Sequence, residues 1–263
     1  MLAVKRWGKG DPVVCLHAIG HGAADFEDFA QRVGDSFEVI ALDWPGQGDS
    51  PADGGPVTPE HYADLLEAEL PKLCEKPPIL IGNSIGGATA IVFASRRPEA
   101  VRGLVLCNSG GLAPVGPFER RAIGALAAFF RAGARRAWWY KAAFAAYYQL
   151  VLPRAPKRRR EIVATAYKIA PVLAEAWEGF ARPEADIRAL GPTIATPTLF
   201  AWAKGDQLIP WSKSAQAASR FPRHAVRLFR GGHAAFLEDA DAFAEAFREG
   251  VLKLSHPMAD RAA

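Results

Sequence analysis

The segment Pro77-Pro78-Ile79-Leu80-Ile81-Gly82-Asn83-Ser84-Ile85-Gly86-Gly87-Ala88 constrains this chain more than any other. An apolar run of strand length meets a serine flanked by glycines, and a small-residue stretch of helical character follows. Gly-x-Ser-x-Gly at a strand-to-helix junction is the mark of a nucleophile elbow. A chain that reverses so sharply puts its apex residue into a sparsely populated backbone conformation. Side chains two residues before and after the apex would collide, so both positions call for glycine. The hydroxyl is then held clear of the sheet, with a helix N-terminus directed at negative charge beside it. A glycine-rich turn in any doubly wound sheet looks similar, so the reading depends on the rest of the chain.

Short apolar runs alternate with helical patterns elsewhere. Strands are predicted at 3–7, 13–17, 37–42, 79–82, 103–107, 198–201 and 226–229. The later ones are nearly continuous apolar runs, as in parallel strands covered on both faces. Helices are predicted at 24–33, 59–73, 86–96, 212–220 and 240–254. The first two strands, joined through Gly8-Lys9-Gly10-Asp11-Pro12, read as an antiparallel hairpin at the sheet edge. From 112 to 190 the alternation stops. Consecutive helices are expected at 118–132, 134–152, 156–169 and 172–181, punctuated by Gly133, Pro153, Pro171 and Pro183. Composition shifts there too, with 14 Lys/Arg against 6 Asp/Glu, compared with 32 against 28 for the whole chain. The expected fold class is α/β. A mostly parallel doubly wound sheet forms the core (1–111 and 191–263), and an all-helical cap (112–190) is inserted over the sheet's carboxyl edge, where such sheets bind ligands.

Composition narrows the setting. Cys15, Cys74 and Cys107 form no CxxC pair, so no disulfide framework is expected and a reducing, cytoplasmic location is. The first residues lack the apolar core of a signal peptide, and no apolar stretch is long enough to span a bilayer. Lys157-Arg158-Arg159-Arg160, with Arg154 just before, reads as a solvated helix face; an acidic substrate or an anionic membrane surface would be its functional partners. Nucleic acid is not expected, since no recognition motif accompanies the charge.

A serine hydroxyl needs a base to take its proton and a third group to orient that base. In elbow architectures the partners follow in the order Ser, acid, His. Strand 198–201 runs through a short loop to Asp206, and strand 226–229 runs to a glycine-flanked His233. Both side chains would emerge at the edge that carries Ser84. His21 in an early loop, His61 on a polar helix face, His224 before the last strand and His256 in the tail fit less well. Taken alone, Asp206 also suits a loop or helix cap. For an oxyanion, the turn His17-Ala18-Ile19-Gly20-His21-Gly22 offers the N–H of Ile19 or of Ala18, to converge with that of Ile85.

Together these motifs resemble the α/β-hydrolase superfamily, specifically serine-nucleophile members with a helical cap such as esterases and meta-cleavage-product hydrolases. The likeness rests on Leu16-His17-Ala18-Ile19-Gly20, Asp43-Trp44-Pro45-Gly46-Gln47-Gly48-Asp49-Ser50, Gly82-Asn83-Ser84-Ile85-Gly86-Gly87, Gly205-Asp206-Gln207-Leu208-Ile209-Pro210, and Gly232-His233 with Glu238 beyond. The resemblance implies Ser84 as nucleophile, His233 as base and Asp206 as orienting acid, with no metal or cofactor. It also implies that the loop of Asp43 and Asp49 is mainly structural. Two departures stand out: Ala18 occupies a position commonly glycine in the family, and the first edge strand is short or missing. Serine at the elbow argues against dehalogenase and epoxide-hydrolase chemistry, which needs a carboxylate there. Hydrolysis of a small apolar or aromatic ester, lactone or related acyl compound is the expected activity. Carbon–carbon cleavage of a vinylogous diketone and a receptor-like ligand-binding role are the alternatives. Trp138, Trp139, Tyr147 and Trp177 are candidates for the substrate wall, although aromatics at helical spacing are mostly core of the helical layer.

Overall fold

Strand burial accounts for the order of the sheet. The computed structural model of the protein describes residues 1–255, which leaves His256 outside the described residues. Its strands are β1 (Val4–Gly8), β2 (Asp11–Leu16), β3 (Phe37–Leu42), β4 (Ile79–Asn83), β5 (Gly103–Cys107), β6 (Thr198–Ala203) and β7 (His224–Phe229), in the order β1-β3-β2-β4-β5-β6-β7. Only β1 runs antiparallel to its neighbour. β4 and β5 are buried throughout, so they need partners on both edges and cover on both faces. β1 is half exposed and tolerates an open edge.

The expected hairpin of the first two strands does not form. β1 pairs with β3, Val4 opposite Leu42, and β2 lies on the other side of β3 in parallel register. Apart from its first residue β2 is fully buried, so the sheet interior claims it on both edges. The link passes beneath the start of β3, where a Cβ on Gly10 would sit 2.1 Å from the Ser36 carbonyl oxygen. Gly8 and Gly10, at φ +74 and +123, make that passage possible.

The helices are α1 (Glu27–Val33), α2 (Pro59–Leu73), α3 (Ile85–Arg96), α4 (Pro117–Ala134), α5 (Tyr140–Val151), α6 (Pro156–Ala164), α7 (Ala166–Gly179), α8 (Trp211–Ala218), α9 (Ala235–Glu238) and α10 (Ala240–Ser255). α2 begins after Thr58, whose hydroxyl accepts the His61 N–H, and Pro59 takes the first helical position. α1 packs on α10 through Phe29, whose ring meets Phe243 and Phe247 edge-on at 5.4 and 5.1 Å.

α4 to α7 lie between β5 and β6, but two expected helix breaks move. α4 runs through Gly133, which is glycine because Tyr140 packs against it: a Cβ there would lie 2.3 Å from the ring. The chain turns instead at 135–139, with Arg136 at φ 59. Pro171 sits inside α7, and the break falls at Thr165. The buried stripe Ala166, Ile169, Ala170, Leu173 outweighs the proline's local preference.

Two buried groups hold the loops at the carboxyl edge. Asp25, with its side chain fully buried, pairs with His21 Nδ1 at 2.6 Å and with Arg158 Nε of α6 at 2.5 Å. Part of the basic run at 157–160 is therefore structural rather than solvated. Burial favours a neutral Asp25, but His21 and Arg158 overcome it and hold the carboxyl down at about 2. His17 follows β2, and its Nε2 accepts the Trp44 N–H at 2.9 Å, so Nδ1 carries the proton and donates to the Ala18 carbonyl at 2.7 Å. Burial pulls the His17 pKa down to about 4, against the Ala18 carbonyl and Asp43.

Arg158→Ala leaves Asp25 buried without its guanidinium and is expected to lower unfolding stability by about 3 kcal/mol, read by urea titration. His17 stays neutral in the fold, whereas the unfolded chain protonates it below its ordinary pKa of 6.5. The unfolded state then binds more protons, so stability is full above that value and declines as pH falls to about 4, by about 3 kcal/mol in all. His17→Gln should show a pH dependence of unfolding free energy flatter by that amount between pH 7 and about 4.

Candidate active site

β2 and β4 are neighbours, yet the chain between them visits β3 on the far side of β2. Their carboxyl ends therefore form a switch point, where an open α/β sheet leaves a crevice. Ser84 follows β4, at φ 55 and ψ −116, directly before the first turn of α3. A Cβ on Gly82 would lie 2.4 Å from the Gly86 carbonyl oxygen, and one on Gly86 would lie 2.3 Å from that of Leu16. Glycine at both positions lets the elbow close against the end of β2.

Both sides of that contact carry unpaired amides. Among the described residues, the N–H groups of Ile85, Ala18 and Ile19 have no acceptor within the chain. The next two amides are committed: Gly20 N–H donates to Gln47 Oε1 at 2.6 Å and His21 N–H to the Ala18 carbonyl at 3.2 Å.

Asp206 follows β6 and His233 follows β7, and His233 Nδ1 lies 2.9 Å from Asp206 Oδ2. The same oxygen accepts Asn108 Nδ2–H at 2.6 Å, while Oδ1 accepts the N–H groups of Leu208 at 2.8 Å and Ile209 at 3.1 Å. Burial works against the charge on Asp206, but His233 and these donors outweigh it and hold the carboxyl below its ordinary value. With an ionised acceptor at Oδ2, Nδ1 is the ring nitrogen that donates, and Nε2 is the one left free of that bond.

The backbone of His233 is clamped as well. Its N–H donates to the Val151 carbonyl of α5 at 2.8 Å, and its carbonyl accepts Asn83 Nδ2–H at 2.9 Å. Glu238 bridges the adjacent chains: Oε2 accepts Gly232 N–H at 2.7 Å, and Oε1 accepts Arg154 N–H, beyond α5, at 2.8 Å. Burial pushes the Glu238 carboxyl above its ordinary value, against those donors.

Ser84, Ile85 and His233 line a cavity of about 310 Å³, closed on the other side by Phe118 and Leu126 of α4 and Trp177 of α7. Glu119 and Lys213 are the charged residues on its wall, paired with each other at 2.7 Å. Ala18, Ile19 and Asp206 are buried and do not line it. Of the aromatic candidates for the substrate wall, Trp177 lines the cavity. Tyr147, half-buried, packs against the helical layer's core, its ring 5.7 Å from that of Phe130, and does not line the cavity. Trp138 and Trp139 lie on the α4–α5 turn, 90% and 39% exposed, and do not line the cavity. A second, shallower cavity of about 380 Å³, lined by Asp11 and Arg102, contains none of these groups.

Three positioning side chains gained no role from the sequence motifs, although Asn83 and Glu238 stand within them. Asn108, at φ 44, ends β5 beside the Asp206 loop, and an asparagine just past a strand at the carboxyl edge was the available signal. Asn83 lies inside the elbow itself. Glu238 was visible in the sequence without a role.

Residues 13–246 match the alpha/beta hydrolase family. A pimeloyl-[acyl-carrier protein] methyl ester esterase of Stenotrophomonas maltophilia is 28% identical over 254 residues, covering 94% of this chain and 95% of that protein. Among solved structures, a thermophilic esterase from Thermogutta terrifontis superposes with a TM-score of 0.81 at 24% identity, covering 97% of this chain and 94% of that one. An enol-lactonase from Burkholderia xenovorans gives 0.76 at 20% identity, covering 95% and 96%. With a matched span that runs from β2 into α10, the chain belongs to the alpha/beta hydrolase family.

Proposed function

We propose that the protein is a cofactor-independent serine hydrolase that cleaves a small apolar or aromatic ester or lactone through an acyl-enzyme. The observation that carries this reading is the Asp206–His233 hydrogen bond, with His233 and Ser84 on the wall of one cavity. Ser84 Oγ attacks the carbonyl carbon while His233 Nε2 takes its proton. Ile85 N–H and the N–H of Ile19 or Ala18 receive the oxyanion, each donor contributing about 3 kcal/mol to the transition state. The imidazolium then protonates the leaving alkoxide, and a water repeats both steps on the acyl-enzyme to release the acid. In this reading 112–190 is the cap, 1–111 and 191–263 are the core, and Trp177 forms part of the acyl or alcohol subsite. Relatives named as esterases support ester chemistry, and the apolar cavity wall supports an apolar substrate group. The three free thiols, two of them buried, suit a reducing, cytoplasmic setting.

A fluorophosphonate probe should add covalently to Ser84, seen as a mass shift that Ser84→Ala abolishes. The same substitution should lower turnover of p-nitrophenyl esters by about 10⁴-fold. Labelling of another residue, or an unaffected Ser84→Ala, contradicts the assignment. A dienolate ring-fission product run beside the esters separates this reading from carbon–carbon hydrolysis: faster turnover of the dienolate would favour the latter.

Glu238→Gln replaces one accepting oxygen by an NH₂ that faces an N–H donor. It should lower kcat about tenfold with KM little changed, and speed amide hydrogen exchange at His233.

A further inference from the structure

Residues 120–160 contain eleven Lys and Arg residues and no Asp or Glu. Their distribution over the surface is more specific than the count. Along α4, Phe118, Arg121, Ala125, Ala128 and, just past its end, Arg135 recur at helical spacing, and all are exposed. Arg121, Arg135, Arg136 and Lys141 have no acidic partner within 4 Å among the described residues. Arg131, on the flank, pairs with Glu178, and Glu119, the acid on α4, is held by Lys213. The face therefore ends in the α4–α5 turn, where Trp138 is 90% exposed between Arg136 and Lys141.

We propose that the outer face of α4 and the α4–α5 turn dock on the surface of an anionic lipid bilayer. Charge complementarity selects an anionic partner. Texture selects the bilayer among anionic partners: Gly124, Ala125 and Ala128 make the centre of the face smooth, with neither knob nor pocket for a protein to match. A fluid headgroup layer conforms to such a face, and exposed tryptophan interleaved with arginine is the composition of interfacial anchors. No helix among the described residues is long and apolar enough to cross a membrane, so the contact is superficial. Phe118, 77% exposed on the same stripe, also lines the cavity, so docking turns one wall of the cavity toward the lipid.

The test is cosedimentation of the full chain with phosphatidylcholine vesicles, with and without phosphatidylglycerol, at low and high salt. This readout requires no turnover and so stands apart from the catalytic reading. Wild type should bind the phosphatidylglycerol vesicles and lose that binding at high salt. Arg121→Ala and Arg135→Ala should each weaken it roughly fivefold, and Trp138→Ala should weaken it further, with circular dichroism unchanged. Three outcomes overturn the proposal. One is wild type that ignores the anionic lipid. Another is full binding by these variants with loss in Lys157→Ala/Arg160→Ala, which places the contact on α6. The third is self-association in sedimentation velocity that Trp138→Ala abolishes, which assigns the face to a second copy of the chain.

Discussion

The close approach of the first turn of α3 to the end of β2 is the constraint on which the rest of the site depends. Gly86 lies so near the Leu16 carbonyl that a single Cβ would force the two apart. On either side of that contact, loops far apart in sequence carry amides with no acceptor in the described chain, and Ser84 stands at φ 55. Backbone strain of that kind persists only where the surroundings over-determine it. Here they do: the Ser84 carbonyl accepts from Gly87, Ala88 and Gly110, and its N–H reaches the Cys107 carbonyl.

Around that contact, buried carboxylates act as fasteners for loops. Asp43 accepts the N–H groups of Ala23 and Asp49, Asp206 accepts those of Leu208 and Ile209, and Glu238 accepts those of Gly232 and Arg154. Each carboxyl group satisfies backbone donors that irregular segments would otherwise bury unpaired. The loops at the carboxyl edge can thus be irregular and still hold a fixed geometry. Asp25 does similar work between side chains, fastening α6 to the loop after β2.

Much of this was legible because parallel strands aim their carboxyl ends at one edge. Placing Ser84, Asp206 and His233 just after apolar runs was enough to bring them to the same rim, and the last two do meet. Pairing order was less legible. A glycine-rich link between two short strands looks like a hairpin, and only the burial of β2 on both edges reveals that β3 intervenes. The helical insert misled for a related reason: Gly133 and Pro171 read as breaks, but one accommodates the Tyr140 ring and the other is carried by the packing of α7. Asn108 was hard to assign because the carboxylate it binds lies 98 positions away, and Glu238 because one of its two backbone partners lies 84 positions away. The aromatics of the insert share one spacing pattern, and nothing in that pattern separates Trp177 on the cavity from half-buried Tyr147 against Phe130 or Trp138 in solvent.

The bridge through Glu238 has an evolutionary consequence. The loop bearing His233 is tied by its own N–H to the last residue of α5 and, through one carboxylate, to Arg154 in the turn that follows. The insert is thus no interchangeable accessory clipped onto an autonomous scaffold. Recombination that swapped this segment between relatives would succeed only where the acceptor at Val151 and the amide at Arg154 travel with it, so divergence in the insert is tethered to a few atoms of the His233 loop.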